Sequence, residues 1–325
     1  MRLQTLMALA AAAFAGLAGA QPAPWPGKPI TIITQSPPGG AGDVIARTFA
    51  DQLSRAVGQP VIVDARPGAS GMIAVQAVAR APADGHTLAM VTSTPLYYAP
   101  YTFSKPMPYD VRKDLALVTQ LCDATLVLAV NSSVPAKNMK EFVAWAAANK
   151  GKVSYGTFGI GSSVHLVSSY LSESRNLGMT HVPYRGEPPI IQDLIAGQIQ
   201  WTILTVGSML PHFQSGKLRP LAVMGDQRLP DLPDVPTLAQ AGITDPEMRV
   251  IGGFFLLAPG GTPAPILARL EKESRAAVQS TPMKARFQAF GLPAVGNSGE
   301  DARRTLEATG PVIEKLVKIS GAKMD

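Results

Sequence analysis

The pattern of apolar and polar positions is clearest at residues 30–57. A short β-branched run at 30–34 predicts a strand that is buried on both faces. Residues 36–42 follow, and their prolines and glycines cannot continue a strand. From Ile45 to Val57 an apolar residue then recurs every four positions, which places these side chains on one face of a helix. The stretch therefore predicts a strand, a glycine-rich loop and a helix N-terminus, in that order.

The same alternation of strands and helices continues towards the C-terminus. Further strands are predicted at 61–63, 87–91, 153–155, 181–184, 199–204, 218–223 and 254–257. Further helices are predicted at 72–79, 139–148, 209–214, 265–278 and 302–319, and two more follow the loops at 156–161 and 185–187. This alternation favours parallel sheets with helices on their faces. Residues 115–130 hold two apolar runs, which we expect to cross between two domains.

Several loops follow predicted strands, and in open α/β sheets ligands collect at the carboxyl ends of strands. We expect the loops at 36–42, 66–71 and 93–94 to lie on one rim for this reason. Residues 156–161 repeat the glycine-rich pattern of the first loop, and Ser162 or Ser163 is predicted to cap the helix that follows.

A glycine-rich loop that opens a helix suits an anion. The first N–H groups of a helix lack intrahelical partners, and the helix dipole adds about half a positive charge there. A βα turn that binds no ligand fits the same residues, so both interpretations stay open. The loop at 36–42 is neither a P-loop nor a dinucleotide fingerprint, because Gly-Lys-Ser/Thr is missing and the glycines are spaced differently.

Asp43 places a carboxylate at the start of the first predicted helix. A carboxylate at this position usually caps the helix by accepting from backbone N–H groups, and it would repel a ligand anion nearby. Asp43 therefore either turns inward as a cap or receives a donor group of the ligand.

Residues 1–20 have the pattern of an export signal. Arg2 gives a positive start, residues 6–17 are an apolar run, and the small residues 18–20 fit a cleavage site. The run is too short to span a membrane comfortably. We predict cleavage after Ala20.

Composition narrows the possible functions mainly by exclusion. The net charge of +6 is spread along the chain without a basic cluster, so no nucleic-acid partner is expected. The single cysteine, Cys122, allows no internal disulfide and is interpreted as a core residue, because it lies near the apolar run 126–130. The four histidines have no metal-ligand spacing, and we expect neither a metal nor a cofactor.

Catalysis has little support in the sequence. No Gly-x-Ser-x-Gly elbow occurs, and Ser162 and His165 lie three residues apart at one helix start, which is a poor substitute for a triad. His165 is interpreted as a packing or hydrogen-bonding residue, or as a ligand contact. Binding is favoured, because the predicted loops carry side chains that could hold a carboxylate. These are Ser36, Ser93, Thr94, Thr157, Ser162, Ser163 and Arg185.

Several longer motifs, taken in order, resemble the receptors of the tripartite tricarboxylate transporter family, also called Bug-type periplasmic solute-binding proteins. The motifs are PGGAGD at 38–43, VDARPGASG at 63–71, DGHTL at 84–88, YGTFGIGSSVHL at 155–166, HVPYRG at 181–186, GKLRPLAV at 216–223 and LPDVPTL at 232–238. Each motif is weak alone, but together they cover nearly the whole predicted mature chain.

The resemblance implies an α/β fold with two lobes, the type II periplasmic-binding-protein or Venus flytrap fold. Each lobe should be a mixed, mostly parallel sheet flanked by helices. Residues 1–20 would be the signal peptide, residues 21–121 and 224–325 would form a discontinuous lobe 1, and residues 122–223 would form lobe 2.

The resemblance also implies which residues contact a ligand carboxylate between the lobes. The contacts expected from lobe 1 are Ser36, Pro38, Gly39, Gly40, Asp43, Ser93 and Thr94. The contacts expected from lobe 2 are Thr157, Gly159, Gly161, Ser162, Ser163, His165, Tyr184, Gly186 and Leu204. Whether Arg185 and Asp43 touch the ligand is left open.

Two positions depart from the family pattern. Leu204 stands where an aspartate is frequent, and Ala65 stands where an asparagine is frequent. The loss of an acid weakens the case for an amino-acid ligand, whose ammonium group would need a partner. Trp201 and Leu204 could leave room for an apolar or aromatic carboxylate, or both could simply pack in the core.

The function implied is that of a monomeric periplasmic receptor, not an enzyme. It would capture a small carboxylate, either a di- or tricarboxylate or an aromatic or aliphatic one, and deliver it to a membrane permease of the tripartite tricarboxylate type. Two alternatives stay open, namely a sensor that presents the ligand to a membrane signalling protein and a hydrolase of such acids.

Overall fold

Two five-stranded sheets with helices on their faces form two lobes. The computed structural model describes residues 25–184, 186–225, 227–249 and 252–323. The predicted signal peptide and Arg185 lie outside the described residues. The strands are β1 Ile30–Thr34, β2 Val61–Ala65, β3 Thr87–Thr92, β4 Leu115–Cys122, β5 Leu126–Asn131, β6 Ser154–Thr157, β7 Thr180–Pro183, β8 Trp201–Thr205, β9 Leu218–Met224 and β10 Phe254–Pro259.

Ten α-helices connect and cover these strands in the described chain. They are α1 Ala41–Val57, α2 Met72–Ala79, α3 Ala99–Thr102, α4 Met139–Ala148, α5 Ser163–Ser174, α6 Glu187–Ile195, α7 Val206–Gln214, α8 Ala264–Val278, α9 Thr281–Ala289 and α10 Gly299–Ser320. None of these helices combines the length and the hydrophobicity that a membrane span requires. The sequence pattern predicted most of them, but it missed α3, α9 and a π-helical turn at Thr94–Tyr98.

The first sheet has the strand order β2-β1-β3-β10-β4. β1 pairs in parallel with β2 and β3, whereas β10 runs antiparallel to both β3 and β4. Four of its five strands therefore point the same way, and only β10 is reversed. The reversed strand is the one that enters this sheet after the chain returns from the other lobe.

The second sheet repeats this arrangement with the order β7-β6-β8-β5-β9. β6 pairs in parallel with β7 and β8, and β5 runs antiparallel to β8 and β9. Its reversed strand, β5, is the first one after the chain leaves the first sheet, and all six of its residues are buried. The predicted fold class, mixed and mostly parallel sheets in two lobes, is confirmed.

The chain crosses between the sheets twice. Cys122 ends β4 in the first sheet and Met224 ends β9 in the second, each one residue beyond the predicted segment. The amide of Leu238 still donates to the carbonyl of Val223, so residues up to 238 stay beside the second sheet. The sequence assigned everything after residue 223 to lobe 1, because the buried side chains within the proline-rich stretch 230–236 were not recognised. The boundaries of the two lobes otherwise stay a prediction.

Cys122 behaves as the sequence predicts. Its side chain is fully buried in the core of the first lobe, and this burial raises the pKa of the thiol to about 12. A thiol with so high a pKa is not a nucleophile at neutral pH, so Cys122 is a packing residue.

Candidate ligand-binding cleft

A cavity of about 360 Å³ has walls from both lobes and from both crossing segments. It is lined by Gln35, Ser70, Thr92, Ser93, Thr94, Ala124, Leu126, Phe158, Ile160, Ser162, Ser163, Thr205, Gly252, Gly253, Phe254 and Leu292. None of these lining residues carries a charge. A ligand anion in this cavity would therefore be held by neutral donors rather than by an ion pair with these side chains.

The cavity lies at the edge of each sheet where the parallel strands end. In the first sheet, Gln35 directly follows β1 and Thr92 ends β3, and the reversed strand begins at the same edge with Phe254. In the second sheet, Thr205 ends β8 and Leu126 begins the reversed strand β5. Both sheets thus present the edge at which ligands of α/β proteins collect.

The two crossing segments touch each other at the cavity wall. A Cβ atom on Gly252 would lie only 2.3 Å from the Cβ of Ala124, so glycine is required for this close approach. Both residues line the cavity. The cavity wall between the lobes is therefore built from the connections themselves.

The second-lobe loop, residues 157–165, joins β6 to α5 and enters the cavity. Gly159 and Gly161 adopt positive φ, which turns the chain sharply between the strand and the helix. Ser162 caps α5, because its hydroxyl accepts from the amide of His165 at 3.2 Å and donates to the carbonyl of Gly159 at 2.8 Å. Of the two predicted caps, Ser162 is the one used, and Ser163 begins the helix.

Two stacked histidines support this loop from behind. The rings of His165 and His181 lie 3.9 Å apart between centroids, and Gly161 donates its amide to Nδ1 of His165 at 3.2 Å. Nε2 of His181 is hydrogen-bonded to the hydroxyl of Thr157 at 2.6 Å. Burial lowers the pKa of both imidazoles to about 4, so both are neutral at pH 7. His165 is thus a hydrogen-bonding and packing residue, one of the two roles predicted for it.

The first-lobe loop, residues 36–43, uses its polar groups on itself. The amide of Gly39 donates to Oδ2 of Asp43 at 3.0 Å, and the amide of Gly40 donates to the carbonyl of Pro37 at 3.1 Å. Nε of Arg47 also donates to Oδ2 of Asp43 at 3.0 Å, and this contact is the main reason why the pKa of that carboxyl lies below its usual range. Asp43 therefore turns inward, as one of the two interpretations predicted, although it bonds the loop rather than the first helical amides.

None of the residues predicted from this loop lines the cavity. Pro38 and Gly39 face solvent, while Ser36 and Gly40 are partly buried. The ring of Phe254, which lines the cavity, packs against Gly42 in the first turn of α1, because a Cβ on Gly42 would come within 2.9 Å of it. Whether a ligand touches residues 36–43 stays a prediction.

Four hydroxyl groups in the cavity have no hydrogen-bond partner within the described part of the chain. They belong to Ser70, Ser93 and Thr94 in the first lobe and to Ser163 in the second. The other polar side chains of the wall are already bonded. Gln35 and Thr92 bond each other at 3.0 and 3.1 Å, and Thr205 donates to a carboxylate oxygen of Glu187 at 2.8 Å.

Leu204 does not line the cavity, and its role as a ligand contact stays a prediction that this structure does not support. Side chains alternate along a strand, and at the end of β8 it is Thr205 that reaches the cavity. Leu204 is fully buried in the core cluster beneath α6 and α7. Trp201 is likewise fully buried, with its ring centroid 5.5 Å from Phe142, so both residues pack in the core.

The other predicted contacts of the second lobe do not line the cavity. Thr157 is fully buried, and Gly159, Gly161 and His165 shape the loop described above. The hydroxyl of Tyr184 donates to Asp193 at 2.7 Å, and Gly186 precedes the first residue of α6. Of the sixteen predicted contacts, the cavity wall includes Ser93, Thr94, Ser162 and Ser163.

The sequence reasoning missed the apolar part of the wall, because it searched the loops for polar donors. Phe158 and Ile160 lie within the very motif that carried the family resemblance, and Phe254 begins a predicted strand. An isoleucine between two glycines in a loop was a usable signal, since such a loop has no core to bury it in. Glu187 was also not predicted as part of the site. Its carboxylate accepts hydrogen bonds from Thr205, which lines the cavity.

His, Cys, Asp and Glu side chains form no group of three or more that could hold a metal ion in the described residues. The cavity wall offers hydroxyls, apolar surface and the N-terminus of α5, which carries the partial positive charge of the helix dipole. This set of groups suits the binding of a small anion.

Comparison with known proteins agrees with this geometry. The sequence profile described as "Tripartite tricarboxylate transporter family receptor" matches residues 45–318. Protein BugT of Bordetella pertussis is 32% identical over 92% of this chain and 91% of its own. The solved structure of R. palustris Rpa4515 with adipate is 31% identical, with a TM-score of 0.78 over 92% of this chain and all of that one.

A second solved structure, MatC from Rhodopseudomonas palustris with bound malate, is 25% identical. It has a TM-score of 0.74 and covers 90% of this chain and 100% of its own. Because the family profile spans most of the sequence, membership follows directly. The chain belongs to the tripartite tricarboxylate transporter receptor family, as a periplasmic receptor of the Bug type.

Proposed function

We propose that this protein captures a small carboxylate in the cavity between its lobes and delivers it to a membrane permease of the tripartite tricarboxylate type. One observation carries the proposal: four hydroxyls from both lobes face a single uncharged cavity, and no described residue satisfies them. Hydroxyls left unbonded by the protein are available to a ligand that supplies acceptors.

A carboxylate matches this set of donors. It presents two oxygens with about four lone-pair sites, so it can accept from several hydroxyls at once. Ser163 is the first residue of α5, where the N-terminal partial positive charge of the helix favours an anion. Because Ser163 belongs to the second lobe and Ser93 to the first, a ligand bonded to both favours the state in which the lobes are closed.

The relatives support the ligand class. The two solved structures described above hold adipate and malate, both of which are small carboxylates. The family to which the chain belongs is named for transporters, which supports a permease as the recipient of the ligand. The protein would act as a monomer after cleavage of the signal peptide at Ala20.

Hydrolysis is the less favoured function, for a specific reason. A serine nucleophile needs a base beside its hydroxyl. The hydroxyl of Ser162 contacts backbone groups of Gly159 and His165, while the His165 ring accepts from the amide of Gly161. Incubation of the purified protein with a bound carboxylate, followed by mass spectrometry of the ligand, should therefore recover it unchanged.

Calorimetric titration of the protein without residues 1–20 against mono- and dicarboxylates tests the proposal. We expect binding of at least one carboxylate, and we expect Ser163→Ala to weaken it by about 1.5–3 kcal/mol, the value of a hydrogen bond to a charged group. Ser132→Ala, at an exposed turn of the same lobe, is the matched control and should bind as the unmodified protein does. If no carboxylate binds, the proposed function is wrong.

A further inference from the structure

The cavity wall has a large apolar part. Six apolar side chains line it, namely Ala124, Leu126, Phe158, Ile160, Phe254 and Leu292. They come from both lobes and from a crossing segment, so a ligand held between the lobes meets apolar surface on both sides. The hydrogen-bond donors of the wall do not explain what this apolar surface contributes to binding.

Ile160 is the most informative of these residues. It is 50% exposed, and in the described chain only Ile62 and Ile73 are comparable large apolar side chains with such exposure. Ile160 stands at the tip of the second-lobe loop and points its surface into the cavity. Since covering apolar surface is favourable, a ligand with an apolar body gains affinity by covering this side chain.

No lining residue is charged, so each charge of a ligand depends on neutral donors. Of the eight polar side chains in the wall, Gln35 and Thr92 are hydrogen-bonded to each other, and Thr205 donates to Glu187. Ser162 bonds to its own loop. The hydroxyls of Ser70, Ser93, Thr94 and Ser163 have no bond to a described residue, and four hydroxyls match the lone-pair sites of one carboxylate. A second carboxylate in the same cavity would face apolar walls, where an unpaired charge is costly.

We infer that the ligand is a monocarboxylate with an apolar body, either aliphatic or aromatic. The inference rests on the proposed function and narrows its ligand class. The carboxylate lies at the hydroxyls of Ser93, Thr94 and Ser163, and the apolar body lies against Ile160 and Phe254. The apolar part of the wall thereby discriminates against a second charge.

Hexanoate and adipate test this inference directly. They share a six-carbon chain and differ only in the second carboxylate, so their affinities report the effect of that charge. Calorimetric titration of the protein without residues 1–20 should show that hexanoate binds at least tenfold more tightly than adipate. Benzoate and terephthalate form a second pair, and the order should be the same.

Ile160→Ala tests the apolar wall. We expect the variant to bind hexanoate about tenfold more weakly, because a few methyl groups in an apolar pocket have effects of this size. Ile62→Ala is the matched control, since Ile62 is 54% exposed on the strand β2 and does not line the cavity. Both variants should keep the unfolding temperature of the unmodified protein.

Each contrary outcome has a distinct meaning. Adipate binding as tightly as hexanoate, or more tightly, would overturn the inference while leaving the proposed function in place. Hexanoate binding that is unchanged in Ile160→Ala would also overturn it, because the assigned wall would then not contact the ligand. If none of the four acids nor any other carboxylate binds, the proposed function is wrong and the inference is wrong with it.

Discussion

The first-lobe loop, residues 36–43, and the second-lobe loop, residues 157–165, have the same local design. Each joins a buried strand to a helix N-terminus through glycines. In the second lobe the loop enters the cavity and leaves the hydroxyl of Ser163 unbonded. In the first lobe Asp43 accepts from the amide of Gly39, and Phe254 packs against Gly42 in the first turn of the helix.

The difference lies in the groups behind each loop. The second-lobe loop is supported by two neutral imidazoles, whereas the first-lobe loop is supported by an ionised carboxylate paired with Arg47. A glycine-rich loop before a helix is therefore not a binding site by itself. Whether its amides reach a ligand depends on whether the protein supplies its own acceptor, as Asp43 does here.

The largest expected difference between the loops is in how their contributions to the stability of the folded protein depend on pH. The pKa of His165 and of His181 in the folded protein is about 4, below the ordinary value of 6.5, so the unfolded chain binds more protons than the folded one between these values. Stability should therefore fall as the pH drops from about 6.5 to about 4. The pKa of Asp43 is also lowered, but from 3.8, so its contribution should be lost only below that pH.

Calorimetric unfolding temperatures between pH 7 and pH 4 measure this effect. The double variant His165→Asn with His181→Gln keeps hydrogen-bonding atoms near Nδ1 and Nε2 and removes both titrating rings. Its unfolding temperature should change less over this range than that of the unmodified protein. If the unfolding temperatures of the two proteins fall equally steeply as the pH drops, the pH dependence arises from other groups.

The next largest effect is expected for Asp43→Ala. The substitution removes the acceptor of the Gly39 amide and of Arg47, and a lost buried partner costs about 1–3 kcal/mol. Denaturant unfolding should detect this loss, while the affinity for a carboxylate should stay within about twofold, because residues 36–43 do not line the cavity. A large loss of affinity with unchanged stability would reverse the roles assigned to the two loops.

The smallest effect is expected for Ser162→Ala in the second-lobe loop. Removal of an N-cap hydroxyl typically costs about 1 kcal/mol, and here the bond to Gly159 is lost as well. The matched variant Ser163→Ala alters the neighbouring serine, which is equally buried but whose hydroxyl bonds no described residue. Denaturant unfolding should separate the pair, with a stability loss for Ser162→Ala and almost none for Ser163→Ala.

Periodicity predicted the fold well, because both of its signals are local. The four-residue spacing from Ile45 to Val57 appears in the structure as the buried face of α1, and the β-branched run at 30–34 is β1. The reversed strands β5 and β10 could not be read from these local patterns. Their direction is set by the lobe from which the chain arrives, which is a property of the whole path.

The site was harder to predict than the fold. The loops were located correctly, but the partner of each amide and hydroxyl depends on contacts between distant residues, such as Thr205 with Glu187. Leu204 shows how strongly the prediction of a site depends on the exact position along a strand, because a shift of one position moves a side chain from the cavity to the core. Phe254 could not be assigned to the wall from the sequence, because an apolar residue at the start of a strand is read most simply as a core residue.

The close approach of Ala124 and Gly252 has a mechanical consequence. Where the two connections run side by side, no room is left for one additional carbon atom at position 252. Both residues line the cavity, so a rotation of the lobes about this contact would change the width of the cavity least beside the contact and most at its far side. A bulkier residue at position 252 would push the two connections apart and would therefore favour a wider cavity.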